Sequence, residues 1–142
     1  MQLPPTKHVS TSQWPVIVYT APGAGSDDEM QAVMDEVQTL KRLGAVHALV
    51  LDVRKVSQLS PKQRRMITTQ MEDDKAITEQ FTAGVALVFE SRLLRGFLTA
   101  IFWVRPAIAP TRVFNAPQDA IAWCAAQAAA KITSSTAPSL NG

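Results

Sequence analysis

The sequence predicts an α/β domain on a mostly parallel sheet, and three observations carry that prediction. Short β-branched runs alternate with helical stretches four times along the chain. Two of the runs, Ala48–Leu51 and Gly84–Phe89, are apolar with no polar alternation, as in strands covered on both faces. A chain of 142 residues that is 46% hydrophobic is long enough to bury one core. Such alternation implies right-handed crossovers, with ligand sites at the carboxyl ends of the strands.

Each element has its own justification. Residues 1–13 form a polar lead-in with Pro4 and Pro5, in which Lys7–Ser10 offers a short edge strand. Trp14–Thr20 is rich in β-branched and aromatic residues and reads as the first main strand. The turn-rich loop Ala21–Ser26 follows. Ser26 caps a helix with Asp27, Asp28 and Glu29 in its first turn and Lys41 and Arg42 in its last, matching the helix dipole. Its apolar stripe is Met30, Val33, Met34, Val37 and Leu40, and Gly44 ends it. Val46–Val53 is the second strand. Ser60 and Pro61 open a second helix running to about Ile77 and fraying near Thr78–Thr82, by the serine N-cap and proline N1 rule. Gly84–Phe89 is the third strand and Arg92–Val104 the third helix, with Ser91 as its N-cap. Thr111–Asn115 closes the sheet, and Pro117–Lys131 is an alanine-rich helix with Ile121, Cys124, Ala125 and Ala128 inward. Residues 14–131 thus form one domain, and 132–142 read as a disordered tail.

Charge and cysteine usage bound the function. A net charge of +2 is too small to imply nucleic acid, so none is expected as a partner. The single cysteine, Cys124, excludes an internal disulfide framework and fits a reducing compartment. The first residues lack a secretory apolar core, and no apolar run reaches about 18 residues. A soluble, cytoplasmic protein without a transmembrane segment is the expectation. His8 and His47 lack metal-ligand spacing, so no metal and no cofactor is expected, and both are read as structural or solvated. Cys124 is read as a small core residue. Gly23 and Gly25 read as a turn before a cap, since no GK[ST] follows them.

The most informative feature is a charge anomaly. The first helix obeys the dipole rule, whereas Lys62, Arg64 and Arg65 crowd the positive start of the second. Arg92 and Arg95 do the same at the start of the third. With Arg54 and Lys55, the strand-end edge gathers seven of the fourteen basic residues. Local rule-breaking tends to mark function, and a helix start with added arginines suits an anion or an acidic protein surface. Two readings stand. In one, the edge binds such a partner through Asp52, Arg54, Ser60, Arg64, Arg65, Ser91 and Arg95. In the other, the side chains extend into solvent or pair with Asp52 and Glu90. A third possibility is a small enzyme acting on an anionic substrate, with Asp52 as general base. No second acid or base stands beside Asp52 in the sequence.

The third helix carries more apolar surface than one sheet contact uses. Leu93, Leu94, Phe97, Leu98, Ile101, Phe102, Trp103 and Val104 cover more than one face. A second copy of the chain is the ordinary explanation, with Leu94, Phe97, Leu98, Ile101, Phe102 and Trp103 at a homodimer interface. Contact with a membrane surface is the alternative, with Arg92, Arg95 and Arg105 near headgroups. A structural subunit of a larger assembly would use the same surface. Mid-helix Gly96 suggests the close approach of another backbone.

The order of elements, with the strings ALVLDVR, LSPKQRR, GVALVF, LLRG and RVF, resembles small bacterial STAS-like proteins over about Trp14–Gln127. These share the fold of sulfate-transporter and anti-sigma-factor-antagonist domains. The resemblance implies a mixed sheet of four to five strands with about four flanking helices. It also implies a non-enzymatic role in binding regulatory protein partners. In antagonist members, a serine at the start of the helix after a central strand is phosphorylated by a partner kinase. Ser60 matches that location, with Ser57 beside it. Where the antagonists carry Asp-Ser-Ser-Gly, this chain has Gln58-Leu59-Ser60-Pro61. A phosphate on Ser60 would meet Lys62, Arg64 and the helix dipole. From the residues alone Ser60 is an N-cap.

Overall fold

A computed structural model describes residues 2–23, 25–90, 92, 95, 96, 99, 101 and 107–136. Val9–Gln13 (β1) and Val16–Thr20 (β2) pair antiparallel, and the Trp14 N–H donates to the Thr11 carbonyl across the turn at 3.0 Å. Asp27–Lys41 (α1), His47–Asp52 (β3), Pro61–Asp73 (α2), Lys75–Phe81 (α3) and Thr82–Val88 (β4) follow. Thr111–Phe114 (β5) and Pro117–Thr136 (α4) complete the described elements. The sheet has five strands in the order β1-β2-β3-β4-β5, with β2 through β5 parallel. The predicted α/β class with a mixed, mostly parallel sheet is therefore the fold observed.

Strand order that follows chain order has a consequence. Every right-handed crossover between neighbouring parallel strands lands on the same face of the sheet. α1, α2 and α3 accordingly lie on one face, and only a helix after the last strand is left to cover the other. That helix is α4. On its face Val16, Ala48, Val50, Ala86 and Val88 meet Ala120, Cys124 and Ala128 in one buried cluster. Gly84 belongs to this contact: a Cβ there would stand 3.0 Å from Trp123 Cη2 and Cζ3, so glycine is what lets the indole lie on the strand. On the opposite face Ile17, Leu40 and Leu49 pack with Val33 and Val37 of α1.

Three polar groups are fixed inside. Lys41, at the end of α1, is only 6% exposed; its Nζ donates to Thr78 Oγ1 at 2.8 Å and lies 3.4 Å from Asp74 Oδ2. Burial pushes the lysine pKa down, and Asp74 opposes that. Asp74 is also bonded by the side-chain amides of Gln38 and Gln70, both at 2.9 Å. His47 is fully buried, with Nδ1 donating to the Ala45 carbonyl at 3.0 Å and Nε2 accepting from the Thr82 hydroxyl at 2.8 Å. Desolvation lowers its pKa, so the ring is neutral. Outside the core, Glu36 of α1 accepts the backbone N–H groups of Lys7, His8 and Val9 at 2.8–3.0 Å, tying the lead-in to the domain. Burial works against the Glu36 carboxylate, but those three donors prevail and hold its pKa below the usual value.

Several predicted boundaries move. The edge strand lies at Val9–Gln13 rather than Lys7–Ser10, so the lead-in joins the sheet. The second helix does not fray at Thr78: it breaks at the buried Asp74 and continues as α3 to Phe81. The closing helix runs on to Thr136, so residues 132–136 are helical where a disordered tail is predicted. Ala125 is exposed, because the inward stripe of α4 passes through Ala120, Cys124 and Ala128. Gly96 is helical and exposed, and a Cβ there would meet nothing within 4 Å among the described residues of its own chain.

Candidate strand-end site

The carboxyl ends of β2, β3 and β4 present the predicted edge. Asp52 closes β3 with its side chain only 5% exposed. Arg54 folds back onto it: Nε donates to Oδ1 at 2.9 Å, Nη2 to Oδ2 at 2.8 Å, and the Arg54 backbone N–H to Oδ1 at 3.3 Å. The hydrogen bonds from the Arg54 side chain hold the carboxyl below its usual range against the opposing effect of burial. A carboxylate with both oxygens engaged by a guanidinium is a poor general base. The geometry thus gives Asp52 the task of orienting Arg54.

α2 starts with a closed capping box. Ser60 Oγ accepts the Gln63 N–H at 3.0 Å, and Gln63 Oε1 accepts the Ser60 N–H at 3.1 Å. The Gln63 amide also donates to the Gly25 carbonyl at 3.1 Å, and Lys62 Nζ lies 3.3 Å from Asp27 Oδ2. The starts of α1 and α2 are stapled by these two links. α1 begins with three acids, whereas the first turn of α2 has none. Lys55, Lys62, Arg65, Arg92 and Arg95 are exposed and Arg64 is half-buried. The Arg95 guanidinium carbon sits 5.9 Å from the centre of the buried Phe89 ring. Lys62 and Arg65 also line a hollow of about 290 Å³ between α1 and α2.

The predicted residues therefore divide. Asp52, Arg54, Ser60, Arg64, Arg65 and Arg95 fall on elements that end or begin at this edge, with Ser57 exposed in the loop before Ser60. Ser91 lies outside the described residues, as do the predicted interface residues Leu94, Phe97, Leu98, Phe102 and Trp103. Ile101 is described and is only 4% exposed, so it serves the interior of its own chain rather than a dimer interface. Cys124 is a core residue: its thiol donates to the Leu49 carbonyl at 3.4 Å, and burial pushes its pKa up to about 12.

Two features escape the sequence reading. One is Gln63, whose signal was present as serine followed three residues later by glutamine. The other is a cavity of about 570 Å³ between the sheet and α1 and α2, lined by Leu49, Leu51, Val85, Met30, Val37 and Met71 among others. Periodicity gave no hint of it, because residues lining a cavity have the same pattern as residues filling a core.

Among the described residues, no group of three or more His, Cys, Asp or Glu side chains is placed to hold a metal ion. No described helix is long and apolar enough to cross a membrane. Fold and edge together define a small α/β domain with a mixed five-stranded sheet, whose strand-end edge sets the cations of α2 beside the acidic first turn of α1. In comparisons with protein-family models, curated proteins and solved structures, nothing matches the chain.

Proposed function

We propose that the chain is a non-enzymatic, STAS-like interaction module that docks an acidic protein surface on its strand-end edge. The observation that carries this reading is the exposed set Lys55, Arg65, Arg92 and Arg95 around a helix start with no acid in its first turn, with Lys62 beside them held to Asp27 of α1. Each cation beside a positive helix end costs a few tenths to about 1 kcal/mol, which an acidic partner would reverse. Asp52 steers Arg54, and the Ser60 capping box fixes the orientation of the helix that carries Arg64 and Arg65. Ser60 follows the central strand and is exposed, which suits the phosphoacceptor position that the family resemblance implies. A homodimer through the apolar stretch Leu93–Val104 belongs to the same reading, supported by its sequence.

The test compares capture from a native lysate by the wild-type chain and by Arg65→Glu/Arg95→Glu, with circular dichroism confirming that both fold. An acidic partner retained by the wild type, lost by the variant and released by salt is the expected result. Equal recovery by both forms removes the edge from the function. Light scattering tests the dimer, and a monomer at high concentration rejects it.

A further inference from the structure

The two rims of the sheet are finished differently. At β1 the outward backbone groups are already used. The Val9 N–H donates to Glu36 Oε1 at 2.8 Å, and the Val9 carbonyl accepts the Thr6 hydroxyl at 2.7 Å. The Thr11 carbonyl takes the Trp14 N–H, the Ser12 N–H turns to Ser10 Oγ, and the pairing with β2 slips between Ser10 and Gln13. Devices of this kind keep a further strand from adding to an edge.

β5 has none of them. The Val85 N–H donates to the Pro110 carbonyl at 2.8 Å and the Phe89 N–H to the Phe114 carbonyl at 3.3 Å, so the even-numbered residues of β5 turn their backbone groups to β4. By the alternation of a strand, the N–H and C=O groups of Thr111 and Val113 point away from the sheet. β5 is the last strand in the sheet order, and its register with β4 runs without a bulge. Arg112, Val113 and Asn115 are exposed, and Val113 is one of two large hydrophobic residues exposed among the described residues. An open edge of this sort is a template for another strand.

We infer that β5 pairs antiparallel with β5 of a second copy about a two-fold axis at Val113, joining the two five-stranded sheets into one. Charge chooses the register. With the axis at Arg112, the two Arg112 side chains would stand directly opposite each other and repel. With the axis at Val113, the two Val113 side chains meet and exchange both backbone hydrogen bonds. Arg112 then lies across from Phe114 of the second copy. Its guanidinium already makes that kind of contact within its own chain, 5.3 Å from the centre of the Phe114 ring. A strand of four residues makes a small interface, so the association is weak. It uses neither the basic edge nor the stretch Leu93–Val104, and so stands apart from the function proposed above.

Sedimentation equilibrium of the full chain measures the association, with a Kd of about 10–100 μM expected. Val113→Pro removes an outward N–H without touching a bond to β4, and Val113→Lys sets like charges on the axis. Each weakens dimerisation at least about tenfold while circular dichroism stays that of the wild type. Two variants guard against one failing to fold. Mild oxidation of cysteine variants reads the register. Val113→Cys brings two thiols to a Cα separation of about 5.5 Å and links the copies, whereas Thr111→Cys holds them about 14 Å apart and does not. The native Cys124 is buried and does not compete. A wild-type chain that stays monomeric to about 1 mM overturns the inference. So does a dimer that the folded Val113→Pro and Val113→Lys variants leave intact, which would move the contact to Leu93–Val104. Equal linking through positions 111 and 113 overturns the register.

Discussion

On one face of the sheet, α4 brings Ala120, Cys124 and Ala128 to zero exposure against Val16, Ala48 and Val50. On the other, α1 and α2 hold longer side chains, Met30, Val37, Ile67 and Met71, around a cavity of about 570 Å³. The backbone of α4 lies directly against β2, β3, β4 and β5, whereas that of α2 lies closest to α1 and α3. Small residues let a helix settle onto a sheet until the backbones limit the approach. Long residues on a helix supported by other helices leave a gap. The difference teaches that one domain can divide its labour by face, with one face securing the fold and the other keeping space. Three mutational or pH tests probe that division.

The largest expected effect is at the end of the cavity where α1 stops. Asp74→Ala leaves Lys41 buried without its carboxylate and removes the partner of Gln38 and Gln70, at a cost of about 3–5 kcal/mol. Urea unfolding measures it. A loss below about 1 kcal/mol would mean that this end is open to water, and the contrast between faces would weaken.

Adjacent residues of β4 then compare the faces directly. Gly84→Val drives a branched side chain into Trp123 and Gln127 and should cost about 2–3 kcal/mol. Val85→Phe points the other way, into the cavity, and should change stability by less than about 1 kcal/mol. Equal losses at both positions would show that the cavity face is packed as tightly as the face under α4.

The smallest effect is the pH response of His47. Desolvation sets its folded pKa below the ordinary 6.5, so the native state binds fewer protons than the unfolded chain. The ring leaves stability unaffected above about pH 6.5 and lowers it as pH falls from there towards the folded value, so about pH 7.5 and about pH 5.5 bracket the loss. Denaturant titrations at the two pH values measure the slope, and His47→Gln should flatten it. A slope unchanged in that variant would assign the pH response to other groups.

The edge was more legible than the cavity, for a physical reason. Helix caps, dipole charges and proline positions act between residues three or four apart, so Ser60, Pro61 and the misplaced Lys62, Arg64 and Arg65 could be read directly. Asp52 could be placed at a strand end, but its choice of Arg54 over Arg95 needed the loop geometry. Lys41 and Asp74 are 33 residues apart, and each looks like an ordinary surface charge on its own helix.

By itself, the sequence determined the α/β alternation, the starts of α1 and α2, the buried strands β3 and β4 and the core position of Cys124. All of these depend on local periodicity and side-chain size. Only the tertiary structure decided that strand order follows chain order, which sends the crossover helices α1, α2 and α3 to one face and, among the described elements, leaves α4 on the other. It also decided that α2 breaks at Asp74, that Gly84 makes room for Trp123, and that an apolar stripe on α1 borders a cavity rather than a filled core. Those outcomes depend on distances between elements remote in sequence, where an apolar residue reads the same whether its neighbour is a side chain or empty space.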